Sequence, residues 1–279
     1  MRLPLASVVA LALALGVVAG CGDDEDSDGG GTEVVLNEPA AVDVDPADED
    51  ATEPPPETVD VLDEFTALRQ AEGQPSVPAI RGSAGLTVPD WMHVVNGDVA
   101  SYWQQQFNTA GYRFEPAVEL IYDGRVPTEC GGTASQRGGP FYCTLDETIF
   151  LPVRFFEDTA NPFGDAAVAI VIAHEEAHRV QDLLGVFDQP IISAQLELQA
   201  DCLAGVWART VYERGLLEEG DIGEILGLVD IAGDSPETPI NAPGAHGNSA
   251  LRQDFFAQGY DGGDPSSCPV PRKREIKNA

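Results

Sequence analysis

Positive charge is scarce in this chain of 279 residues: 15 Lys and Arg stand against 47 Asp and Glu, giving a formal net charge of −32. That balance argues against nucleic acid as a partner, because gripping a phosphate backbone needs a basic surface. Cysteine is sparse too, five in all with no Cys-x-x-Cys pair, which disfavours a zinc site built from thiolates. Long apolar runs are missing apart from Leu3 to Val18, too short to stay as a membrane span and, after Met1-Arg2, read as a secretory signal. Internal repeats are absent. From Gly22 to Glu64 there is no Lys or Arg at all, while seventeen Asp and Glu, Gly29-Gly30-Gly31 and Pro54-Pro55-Pro56 fall within it. A stretch of that kind cannot bury enough apolar surface to fold.

Val18-Ala19-Gly20-Cys21 puts a small-residue pair directly before a cysteine and resembles a bacterial lipobox. The expectation is that residues 1–20 are a lipoprotein signal peptide and that Cys21 becomes a lipidated, palmitate-bearing N-terminus. The protein would then sit in the cell envelope, on the extracytoplasmic face of a bacterial membrane. Residues 21–88 are expected to be a lipid-anchored acidic disordered tether, reaching about 35 Å root-mean-square as a coil. Residues 89–270 suit one domain with a single core, followed by a C-terminal tail at 271–279. Beyond Cys21, the even set Cys130, Cys143, Cys202 and Cys268 fits two disulfides in an exported chain. Three pairings are open. Nearness in sequence argues for Cys130 with Cys143 across a Gly-rich loop, which leaves Cys202 with Cys268.

Within the domain, Val99 to Ala110 is expected as a helix that stops at Gly111, and Ala117 to Tyr122 and Thr148 to Val153 as strands. Pro152 points to an edge position for the second strand. Helices are then expected over Ala166 to Leu184, Ile191 to Glu213, Glu218 to Ile231 and Ser249 to Gln258, with Gly185 and Gly215 as stops. A strand pair ahead of long helices makes an α+β fold rather than an alternating one.

The chemistry starts at Ala173-His174-Glu175-Glu176-Ala177-His178. Residues i and i+4 leave a helix about 40° apart around its axis, so His174 and His178 can grip one ion with Glu175 beside it. A hydrolytic zinc takes three protein ligands and keeps a position for water. The best third ligand is Glu197, in Glu197-Leu198-Gln199-Ala200-Asp201-Cys202, where Asp201 one turn later can reach a histidine ring nitrogen and fix its tautomer. With only four histidines in the chain, an accidental match to this pattern is rare.

The His-Glu-x-x-His and Glu-x-x-x-Asp spacing resembles the gluzincin clan of metallopeptidases, which assigns Asp201 to His174. Gly139-Pro140-Phe141-Tyr142-Cys143, Phe155-Phe156, Val180-Gln181, Glu197 to Trp207 and His246-Gly247-Asn248-Ser249 with Arg252 are together similar to the bacterial neutral zinc metallopeptidase family. The likeness runs from about Pro89 to Cys268. Ala177 stands where that family usually has Gly, Arg179 where it has a second histidine, and Gly233-Asp234-Ser235 where it has Gly-Asp-Asp.

The resemblance implies a zincin-like metallopeptidase domain, a small sheet packed on two long metal-binding helices. It also implies one Zn2+ ion and a peptide or protein substrate, with peptide-bond hydrolysis by a zinc-activated water and Glu175 as general base. In zincins an edge strand above the metal helix binds the substrate backbone, a role expected here of Thr148 to Leu151. His246 is the best further catalytic residue, as an oxyanion donor, with Tyr142, Tyr212 and Tyr260 as other donors. Arg252 is expected to make a structural salt bridge or to orient the surroundings of His246 or a substrate carboxyl, and His93 to be structural. The alternative is a lipid-anchored zinc-binding or adhesion module without turnover. The intact Glu175 counts against it, because a pure binder needs no base there.

Overall fold

The computed structural model describes residues 82, 83, 85–273 and 276. The expected signal, Cys21 and the tether up to residue 81 lie outside the described residues. Helix α1 (Val88–Ala110) starts where the Thr87 hydroxyl accepts the Asp90 N–H and Pro89 occupies the first turn, where a missing N–H costs nothing. It ends at Gly111, in the left-handed region at φ 84. The helix therefore begins about three turns before the expected Val99. Its inward face, Met92, Val99 and Trp103, is fully buried in the main core.

A three-stranded sheet has the order β1 (Val118–Tyr122), β5 (Thr148–Pro152), β4 (Phe141–Cys143), with β1 parallel and β4 antiparallel to β5. This corrects the expected edge position of Thr148 to Leu151. All five residues of β5 are buried, as a continuous apolar run covered on both faces requires, and Pro152 merely closes its last rung. The edge strands are β1 and β4. A hairpin of β2 (Arg125–Thr128) and β3 (Gly132–Ser135) forms a separate pair covering Tyr122 and Phe150.

After a short helical stretch (Val153–Phe155, Phe156–Ala160), four longer helices follow among the described residues: α2 (Asp165–Leu183), α3 (Ser193–Glu213), α4 (Asp221–Ala232) and α5 (Ser249–Gly262). Small buried residues on α2 (Ala169, Ala173, Ala177) and α3 (Ala200, Ala204, Ala208) let the two long helices approach closely enough for short side chains to meet between them. Between α3 and α5 the backbones touch. A Cβ added to Gly259 would lie 1.8 Å from the Cys202 carbonyl oxygen, and one on Gly205 2.2 Å from that of Phe256. Both disulfides form, Cys130 to Cys143 and Cys202 to Cys268. The segment expected to be a plain tail is packed in part, since Gln195 Nε2 donates to the Pro271 carbonyl and Ile276 is buried with Leu198 and Leu251. Helices and small sheets make the fold α+β. Among the described residues no helix is long and apolar enough to cross a membrane.

Candidate metal centre

Helix α2 carries His174, Glu175 and His178, and α3 carries Glu197 and Asp201, so packing two helices assembles the whole set. The donor atoms of His174, His178 and Glu197 lie within 4.8 Å of one another. His174 Nε2 is 3.1 Å from Glu197 Oε2, and His178 Nε2 is 3.6 Å from Glu197 Oε1. The imidazoles stand edge to face, centroids 4.8 Å apart, as rings do when both aim a nitrogen at one point.

The outer ring nitrogens decide what the inner ones can do. His174 Nδ1 lies 2.9 Å from Asp201 Oδ1, close enough for an ion pair although the contact is off a straight hydrogen-bond direction. His178 Nδ1 lies 2.8 Å from Gln181 Oε1. The Gln181 amide cannot flip to suit, because its NH2 already donates to Leu196 O and Gln199 Oε1. With a carboxylate or amide oxygen facing each Nδ1, a neutral ring carries its proton there and leaves the Nε2 lone pair free. Two such lone pairs and a carboxylate are a borderline-soft donor set that suits zinc, so the residues fit the ion.

Electrostatics agree with a pocket made for a cation. Burial penalises a charged His174, but Asp201 and Glu197 outweigh it and push the ring up to about 10. Burial likewise raises the Glu197 carboxyl, yet His178 and His174 hold it well below the usual range. For Glu175 burial wins. Its carboxyl is raised, even with the two histidines and the backbone N–H of Tyr142 on β4 pulling it down.

Arg252 proves to be tied to the centre through Asp201, not to His246. Its Nε and Nη2 donate to the two Asp201 oxygens, each at 2.8 Å, and Nη1 donates to the Ala232 carbonyl. Burial alone would raise Asp201, and Arg252 together with His174 brings it below its ordinary value. His246 sits on a loop held by Asp234, which accepts the backbone N–H groups of His246 and Gly247 and lies 3.4 Å from His246 Nδ1. That loop packs beside Leu198, next to Glu197 in sequence, through the bare Gly247.

Of the three tyrosines, Tyr142 has its hydroxyl committed to other side chains. Tyr142 donates to Asp182 and accepts from Arg179, while Tyr212 and Tyr260 flank the Arg209 guanidinium. His93 pairs with Glu119 on β1, 2.6 Å away. Sequence reasoning assigned no role to Gln181 or Asp234. Position i+3 from His178 was the available signal for the first, and nothing local pointed to the second. Asp165, Asp221 and Glu224 also cluster, at the start of α2, but each accepts a backbone N–H, from Ser83, Glu218 and Ala166 respectively.

Residues 59–270 match the family described as "Putative neutral zinc metallopeptidase", and the chain belongs to it. The chain is 35% identical to the "Uncharacterized protein YpfJ" of Escherichia coli (strain K12) over 188 residues, which cover 60% of this chain and 65% of the relative. It is 36% identical to the "Uncharacterized protein Rv2575" of Mycobacterium tuberculosis (strain ATCC 25618 / H37Rv) over 181 residues, 53% of this chain and 60% of the relative. The chain thus spans a little under two thirds of the length of these relatives. No solved structure matches it.

Proposed function

We propose that this family member is a metallopeptidase on a zincin-like fold, with His174, His178 and Glu197 holding one zinc ion. The observation that carries the reading is the convergence of those three donors beside the buried Glu175, with both outer ring nitrogens facing an oxygen. When bound, zinc supplies Lewis acidity, polarising a peptide carbonyl and lowering the pKa of water toward about 7. Glu175 accepts the proton of the attacking water and delivers it to the leaving nitrogen, a task helped by the upward push that burial gives its carboxyl. Asp201 holds His174 in its working tautomer, Gln181 does so for His178, and Arg252 keeps Asp201 ionised.

Strand β4 is the better seat for the substrate backbone, by strand addition to a free edge. It is an edge strand, and the backbone N–H of Tyr142 on it is among the groups that draw the Glu175 carboxyl down, which supports a place for that edge beside the centre. His246, fixed by Asp234, is proposed as the donor to the oxyanion. The apolar leader and the small pair before Cys21 support export and lipid anchoring at the cell envelope, with residues 21–88 as spacer and 89–270 as the catalytic domain. Membrane recovery of wild type but not of Cys21→Ser tests that part.

The decisive measurement is zinc content and casein cleavage for wild type and Glu175→Gln. One zinc in both with cleavage by wild type alone is the expected result. Zinc in both and cleavage by neither would leave a binding module instead.

A further inference from the structure

Glu176 faces away from the metal centre, about 200° around α2 from His174. It is fully buried, and neither of its carboxylate oxygens has a hydrogen-bond partner. Among the described residues, the other buried side-chain oxygens in that condition are Glu119 Oε1 on β1 and Asn96 Oδ1 on α1. Every such orphaned oxygen therefore belongs to one of three residues, and these lie on elements that meet. Helix α1 packs along α2 and touches β1.

The pleat of β1 turns Glu119 toward the helices. Ile121 packs into the main core, Leu120 and Tyr122 pack toward the hairpin, and alternation puts Glu119 with Ile121. Burial pushes the Glu176 carboxyl up to about 8; Arg179, one turn along α2, opposes the push, which is reinforced by the charge of Glu119. Its second oxygen, Oε2, takes His93 Nδ1 at 2.6 Å, and Asn96 follows His93 by one turn on α1. Asn96 is itself more than nine-tenths buried, with its amide oxygen unpartnered.

Buried oxygens of this kind are satisfied by a donor or by a cation, and no donor among the described residues reaches these four. Two carboxyl groups and an amide carbonyl form a hard, all-oxygen set of the kind that holds calcium. We infer that Glu119, Glu176 and Asn96 form a second metal site, between α1, β1 and α2, that takes a calcium-type divalent cation. His93, with its side chain 77% exposed, marks the side from which the ion enters. The ligands leave the opposite face of α2 from His174 and His178, so the site is separate from the zinc centre and its ion braces the zinc-binding helix from behind.

The test is thermal unfolding of the full-length, zinc-loaded protein with and without calcium chloride, for wild type, Glu176→Gln and Asn96→Leu, with zinc content measured in each. At calcium a hundredfold above its dissociation constant, wild type should melt about 5 °C higher. Both variants should lose that shift and keep one zinc per chain. Calcium also meets the acid-rich segment before residue 65, so the reading is the difference between wild type and variants. An unchanged shift in both variants, or none in wild type, overturns the site. If one variant fails to fold, the other carries the comparison.

Discussion

Arg252 reaches the proposed zinc site at one remove. Its guanidinium clamps both Asp201 oxygens, and Asp201 in turn faces His174 Nδ1. In Arg252→Met the Asp201 carboxylate loses its partner inside the protein, at a cost of about 3–5 kcal/mol in stability. Zinc affinity should also drop, roughly 10- to 100-fold, as loss of such an outer support does elsewhere. Competition with a chromogenic chelator measures the affinity, and Arg252→Lys, which restores the charge but not the two-pronged fit, should recover it only in part. Equal zinc affinity in wild type and Arg252→Met would make the arginine a purely structural salt bridge. The histidines, Glu175, Glu197 and Asp201 were legible in sequence because helical spacing is a local property. The partner of Arg252 was not, since 51 residues separate it from Asp201.

At the scale of elements, the start of α2 crowds negative charge. Asp221 and Glu224 both sit above their ordinary values, first through burial and then through repulsion from Asp165 and Glu218, opposed by the backbone N–H groups they accept. A carboxyl raised on folding binds more protons in the native than in the unfolded chain, so stability falls as pH rises through its folded value. Glu224→Gln keeps an acceptor for the Ala166 N–H and removes one negative charge. It should raise the melting temperature at pH 7 by about 2 °C, a small gain because the group is largely solvated. The gain should fade below about pH 4, where unfolded carboxyls are protonated as well. A gain that persists at low pH would point to some cause other than charge. Strand placement failed in sequence for a related reason: Thr148 to Pro152 carries a proline, which reads as an edge, but which strands flank it is decided by chain segments elsewhere. The start of α1, by contrast, is written locally, in the Thr87 cap, Pro89 and an apolar period through Trp91, Met92 and Val95 to Val99.

Across the whole molecule, the Cys202 to Cys268 bond ties the helix that bears Glu197 to the end of the described chain, closing 66 residues. Chain entropy alone assigns such a bond about 4 kcal/mol, so Cys202→Ala with Cys268→Ala should lower the urea denaturation midpoint by that energy divided by the m-value. Gln199, whose side chain donates to the Cys268 carbonyl and accepts from Gln181, joins this bond to the support of His178, so zinc binding should weaken in the same variant. An unaltered midpoint would mean that packing of α3 on α5 holds the ligand helix without help. The sequence by itself determined the donor types, their order along two helices, the carboxylate beside the first histidine and the evenness of the cysteines, because helical period and side-chain chemistry act within a few residues. Only the tertiary structure decided which strands lie at the open edges of the sheet, what Arg252 grips, and that Asn96, Glu119 and Glu176 keep buried oxygens without partners. Those outcomes depend on how separate elements pack, and packing is set by contacts between residues that the chain holds far apart.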